Sequence, residues 1–253
     1  MAEFNINGLD KFAEYFQDFT DNYIIVGGTA CSLVLNDAGI PFRATKDIDM
    51  IITVEELSHG FGERLWDFIN AGQYSVYKTK EGVQQYFRFK EPRVEGYPFM
   101  IELFSRKQDI FLGERTSTLI PLSIDEEISS LSAILLNDEY YAFLKSGRQI
   151  IKGISVLAPT HLIAFKARAY LDLFQRKKDG HHVNDGDIKK HRNDIFRLSQ
   201  LLTGQEKIAC NEQVKNDIYA FFALMQNIDI DLKVFGISAT QDEIVELVTG
   251  IYI

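Results

Sequence analysis

Two aspartates two residues apart, Asp47 and Asp49, head the run DIDMIIT, and a glycine pair, Gly27-Gly28, follows the apolar stretch Tyr23-Ile24-Ile25-Val26. Their types and spacing suit phosphate chemistry. On a strand, residues i and i+2 leave the same face about 7 Å apart along the backbone, so both carboxylates address one ligand. Two carboxylates about 4 Å apart at an effective dielectric of 20 repel by roughly 4 kcal/mol, a load that a cation or a shared proton relieves. Mg²⁺ (or Mn²⁺) is the natural relief, because such ions take oxygen ligands and are held by one or two carboxylates plus substrate phosphates. A glycine pair between strand and helix lets backbone N–H groups and the helix N-terminus approach a phosphate, and Thr29 adds a hydroxyl donor. Taken singly, each element has a plainer reading. Acids are common at strand ends, and glycine pairs make ordinary turns.

Together these residues resemble the DNA polymerase beta-like nucleotidyltransferase superfamily, in which an apolar strand, a glycine turn, a helix, an Asp-x-Asp strand and a third acid follow in order. VGGTACSLVL and RATKDIDMII are the matching segments, and Arg43-Ala44-Thr45-Lys46-Asp47-Ile48-Asp49 is similar to the branch that includes the AbiE-type abortive-infection toxins. The resemblance implies that Asp47 and Asp49 bind the metal that escorts the triphosphate, and that a third acid, Glu102 in FMIELFS, helps bind a second metal and activates the acceptor hydroxyl. Glu95 and Asp109 are the rivals for that third place. It also implies that Lys166, in HLIAFKARAYLDL, neutralises the leaving group, and that Gly27, Gly28, Thr29, Arg43, Lys46, Lys190 and Asp194 lie along the nucleotide. Lys166 sits among Leu162, Ile163, Phe165 and Ala169, where a cation needs a partner; a triphosphate or Asp194 would serve. Eighteen residues separate Gly28 from Asp47, more than the superfamily usually has, and the excess falls in the breaker-rich Asn36–Phe42. That insert reads as a surface loop.

The function so implied is metal-dependent transfer of a nucleoside monophosphate from a nucleoside triphosphate to an acceptor hydroxyl, on RNA or another macromolecule or on a small molecule. A cognate antitoxin is then an expected partner. Three other readings stand beside it: an antibiotic-modifying nucleotidyltransferase, a catalytically silent nucleotide-binding scaffold of the same fold, and an antitoxin-like interaction module using the helical half.

The elements that must position these residues follow from periodicity. Helical spacing marks 9–19, 29–36 and 55–70. Strands are expected at 23–26, 47–53, 73–77, 84–89 and 98–104, with more between 130 and 157, where Ser, Ile, Tyr and Val are frequent. After Pro159 the pattern turns helical, over 160–177, 190–203, 212–227 and 240–250. The expected fold is α/β in the α+β sense: a mixed nucleotidyltransferase-type sheet flanked by helices in 1–158, then a helical domain in 159–253. The polar run KDGHHVNDGD between helices reads as a turn, because adjacent His181 and His182 point apart and no second motif completes a zinc site.

With 46% hydrophobic residues, 253 positions are enough for a real core. Cys31 and Cys210 form neither a disulfide framework nor a CxxC pair, and Cys31 reads as a small buried hydrophobe. No apolar run is long enough to span a membrane, so a cytoplasmic chain is expected. The net charge of -9 is unevenly spread: residues 145–192 hold eleven Lys/Arg against four Asp/Glu, a local +7. That segment suits an RNA backbone, whereas the acidic remainder suits a cationic small molecule.

Overall fold

The computed structural model describes residues 6–53, 55, 58–78, 85–105, 120–121, 131, 134–135 and 137–253. Every residue of β1 (Tyr23–Val26) and of β8 (Ile154–Leu157) is buried. Strands with no polar alternation belong inside a sheet covered on both faces. They pair in parallel inside the sheet, between β2 (Asp47–Ile52) and β7 (Arg148–Ile151), and the full sheet also contains β3 (Ser75–Lys78), β4 (Gln85–Lys90), β5 (Met100–Ser105) and β6 (Ile120–Pro121), in the order β6-β3-β4-β5-β2-β1-β8-β7. It is mixed: β2 runs antiparallel to β1 and parallel to β5, while β4 is antiparallel to both β3 and β5.

Chain contacts divide the molecule into two units, Met1–Ile124 with Arg148–Leu157, and Asp125–Gly147 with Ala158–Ile253. The first unit carries the sheet with α1 (Leu9–Phe16), α2 (Gly27–Asp37) and α3 (His59–Gly72). In α1 the inward positions Leu9, Phe12 and Phe16 are buried, as helical spacing predicts. Phe12 meets Tyr23 edge-on with ring centroids 5.5 Å apart, and Phe16 and Phe68 lie at 5.5 Å. Each such pair contributes about 0.5–1.5 kcal/mol beyond its buried area. Phe12, Phe16, Tyr23 and Phe68 are all fully buried.

The second unit is helical: α4 (Asp138–Ser146), α5 (Pro159–Lys178), α6 (Asp185–Ser199), α7 (Glu212–Met225) and α8 (Gln241–Thr249). Its helices start where capping residues allow. Asn137, Asn184 and Asn211 accept from backbone N–H groups of the first turn, and Thr240 with Glu243 forms a capping box.

Two expectations change here. Residues 138–146 form a helix where further strands were expected: the Asn137 cap and the acids Asp138 and Glu139 in the first turn outweigh the strand preference of Tyr140 and Tyr141. Part of the polar run read as a turn is the start of α6, since Asn184 caps a helix that begins five residues before 190. The segment before Pro159 also divides between the units. α4 belongs with the helices because Tyr140 packs edge-on against Phe165 at 5.5 Å and donates a hydrogen bond to Asp217 Oδ2 at 2.7 Å. Only β7 and β8 return to the sheet.

Candidate active site

In the register of the sheet, Val26, Asp49, Glu102 and Arg88 form one lateral row across β1, β2, β5 and β4. Laterally paired residues share a face, so Asp49, Glu102 and Arg88 stand side by side at roughly 4.8 Å strand spacing. One step along the strands, Asp47 pairs with Met100, and Met100 with Lys90. Both aspartates therefore project from the face that carries Glu102. They are half-buried, and Glu102 is buried.

The glycine turn closes on the free side of this row. Gly27 has φ 67°, and a methyl group added to it would lie 1.8 Å from Asp49 Oδ2. Only glycine combines that left-handed backbone with so close an approach. Gly28 comes next, in the first turn of α2. A methyl there would lie 3.2 Å from an Arg43 guanidinium nitrogen and 3.3 Å from Thr45 Oγ1. The N-terminus of α2 has no side-chain cap, since Val26 occupies the N-cap position, and no acid in its first turn. A guanidinium set at the positive end of a helix repels it, and an anion between them removes that repulsion.

Thr29 has a different place from the one expected. It is fully buried, and its hydroxyl donates to the carbonyl of Asp47 at 2.5 Å and lies 3.2 Å from Thr45 Oγ1. The hydroxyl fastens the first turn of α2 to the start of β2, which positions Asp47 and Asp49, and it does not face outward as a phosphate donor. Lys46 is exposed, with its ammonium 5.6 Å from the Phe99 ring centroid. Among the rival acids, Glu95 is exposed between β4 and β5, off the row, and Asp109 lies outside the described residues.

The long connection between α2 and β2 does more than lengthen the path. With α2 it walls a cleft of about 330 Å³ lined by Ser32, Asn36, Ile40, Phe42, Arg43 and Thr45 among others. Arg43 belongs both to this cleft and to the glycine turn.

In the second unit Lys166 and Asp194 are both buried and joined, Nζ to Oδ2, at 3.0 Å. Asp194 is thus the partner that the apolar surroundings of Lys166 required. Lys190 lies one turn earlier on α6 and is half-buried. His181 and His182 are exposed.

Two residues that the sequence did not single out matter. Arg88 Nε donates to Glu102 Oε1 at 2.7 Å, and its Nη2 lies 2.5 Å from the same oxygen. Lys90 lies on the same face of β4. The alternation of QQYFRFK put Arg88 and Lys90 on one face, but only the β4–β5 register assigns Arg88 to Glu102.

No protein-family model matches the chain, and no curated protein matches it. Among solved structures, the crystal structure of JHP933 from Helicobacter pylori is similar over 96% of this chain and 86% of that one, at 13% identity and a TM-score of 0.31. A likeness at that level carries no argument about fold or activity.

The residues can be tested against a divalent ion directly. Asp47 and Asp49 fit one: two half-buried carboxylates on one face, beside an uncapped helix terminus and a guanidinium. A three-carboxylate cage is another matter. Among the described residues, no three or more His, Cys, Asp or Glu side chains gather to hold a metal. No helix of the described residues is long and apolar enough to cross a membrane.

Proposed function

We propose that this chain is a divalent-metal-dependent nucleotidyltransferase. One observation carries the reading: the strand-ending glycine Gly27 presses its backbone against the carboxylate of Asp49, so an uncapped helix N-terminus meets an Asp-x-Asp pair at the same end of the paired strands β1 and β2. That arrangement brings together what a nucleoside triphosphate needs, N–H donors and cations for its phosphates and two carboxylates for the accompanying Mg²⁺ or Mn²⁺. When bound, the ion screens the triphosphate charge and favours attack at phosphorus. Gly28 and Arg43 hold phosphate oxygens at the start of α2, while Thr29 and Thr45 hold β2 in place beneath them. An acceptor hydroxyl oxygen bonds to the α-phosphorus, the bond from that phosphorus to the bridging oxygen breaks, and pyrophosphate leaves with its electron pair. The hydroxyl proton passes to solvent or to a carboxylate of the row.

The test is thermal unfolding of wild type and Asp47→Asn/Asp49→Asn with ATP, CTP, GTP and UTP, each with Mg²⁺ or Mn²⁺. A ligand at 100 times its dissociation constant adds about 2.7 kcal/mol, a shift of several degrees for a chain of this size. The expected result is a metal-dependent shift with at least one triphosphate, lost in the double variant. No shift with any triphosphate and either metal would sink the proposal.

The Arg88–Glu102 ion pair favours a second reading, a nucleotide-binding protein without turnover. That reading gives the same thermal shift but no pyrophosphate when the shifted complex is incubated with candidate acceptors.

A further inference from the structure

We infer that Arg88 stands in for a second metal ion, so that the candidate site holds one divalent cation, at Asp47 and Asp49, rather than two. This rests on the nucleotidyltransferase reading above. Catalysis at paired carboxylates by two ions places them about 3.5–4 Å apart, bridged and flanked by acidic ligands. In this sheet the acid beside Asp49 in the direction of β4 is Glu102, and its Oε1 already takes two guanidinium nitrogens, at 2.7 Å and 2.5 Å. The pair is largely withdrawn from water, with the Arg88 side chain 14% and the Glu102 side chain 9% exposed. Removing one partner from such a pair leaves a buried charge uncompensated, so a second cation at Glu102 must first displace a strongly held first one.

Formal charge agrees. Asp47, Asp49 and Glu102 bring three negative charges to one face, and Arg88 and Lys90 of β4 bring two positive charges to it, so these acids are already partly offset by the protein's own cations. A second ion would add two more positive charges to this face before any nucleotide arrived. The substitute differs in kind from a metal. A guanidinium keeps its charge throughout the accessible pH range and presents a planar fork matched to a carboxylate, yet it binds no water molecule and generates no hydroxide. Arg88 is thus a positioning residue. It holds the Glu102 carboxylate compensated and aimed along the row, and it denies the site a second metal-bound oxygen.

The experiment is a count of Mn²⁺ by equilibrium dialysis on the full chain. The probe is the α,β-methylene analogue of whichever triphosphate gives the largest thermal shift, and electron paramagnetic resonance follows on the same samples. Wild type is expected to bind one Mn²⁺ per bound analogue with an uncoupled spectrum. Arg88→Met is expected to bind two, with the spin coupling of a close Mn²⁺ pair. Arg88→Met/Glu102→Gln, which removes both charges, returns the count to one, and Arg88→Lys keeps it at one. A merely structural role for Arg88 would lower stability in Arg88→Met without changing the count. Two ions in wild type, or one in a cooperatively melting Arg88→Met, overturns the inference and leaves the nucleotidyltransferase reading intact. If Arg88→Met does not fold, wild type and Arg88→Lys decide: one ion in both supports the inference, and two in either overturns it. Absence of both analogue and metal from wild type overturns the underlying reading itself.

Discussion

At Gly27 the requirement for glycine is twofold, a φ of 67° and an Asp49 oxygen where a methyl group would go. Gly39 offers the control: φ is 75° there too, but nothing lies within 4 Å of an added methyl. Holding a non-glycine residue in that backbone region costs about 1–3 kcal/mol. Gly39→Ala is therefore expected to lower the denaturant midpoint by the backbone cost alone. Gly27→Ala loses more and also abolishes any nucleotide-induced thermal shift, because Asp49 must move; chemical denaturation with and without triphosphate measures both. Equal loss in the two variants, with the shift retained in Gly27→Ala, would refute the contact. Asp47, Asp49 and the glycines were legible from sequence because their geometry is local: a spacing of two on a strand, a turn between strand and helix. Arg88 was not, since it meets Glu102 only through the pairing of two strands whose register no residue announces. Thr29 was misread for a related reason. Its type permits a phosphate contact, but burial turns its hydroxyl inward to the carbonyl of Asp47.

Helix α5 illustrates how one element serves several constraints. Near its start, His161 stacks on Phe143 at 4.1 Å, lies 3.1 Å from Ser146 Oγ through Nε2 and 3.0 Å from Thr160 Oγ1 through Nδ1, and burial pushes its pKa down to about 4. The unfolded chain, with histidine near 6.5, binds more protons than the folded one between those values. This contribution is therefore complete above pH 6.5 and is lost as pH falls toward 4, by roughly 3 kcal/mol in all. Urea denaturation between pH 7 and pH 4.5 should show a shallower decline in His161→Phe than in wild type, even though the variant starts less stable; parallel declines would remove His161 as the cause. Five residues on, Lys166 reaches Asp194 on α6. Asp194→Ala strands a buried ammonium and is expected to cost about 3–5 kcal/mol, whereas Lys166→Met/Asp194→Leu recovers most of it. Equilibrium unfolding of the single and double variants decides, and additive losses would contradict a direct pair. The sequence showed that Lys166 needed a partner and offered Asp194 as one, because apolar neighbours in a helix are readable. It did not show α4, where tyrosines that favour strands are overruled by an asparagine cap and by packing against Phe165.

For the whole molecule, the mixed sheet and the helical tail were readable as a fold class, but the interleaving of the units was not, since it depends on which core covers α4. A fragment ending at residue 158 would keep β7 and β8 yet leave Tyr140 and Phe143 without Phe165 and His161. Light scattering should find that fragment self-associated, and markedly less so with Tyr140→Lys/Phe143→Lys; a monomeric parent fragment would show that α4 needs no such cover. The same topology bears on synthesis. β1 leaves the ribosome as residues 23–26, but its parallel neighbour β8 is residues 154–157. At 5–20 residues per second, the edge of β1 beside the glycine turn waits on the order of ten seconds for its cover. For that interval the nascent chain carries an open hydrogen-bonding edge made only of buried-type residues, YIIV, which is the kind of template that recruits stray strands. Translation speed between codons 26 and 157 is thus a determinant of yield, and slowing it should divert more of the chain into aggregates.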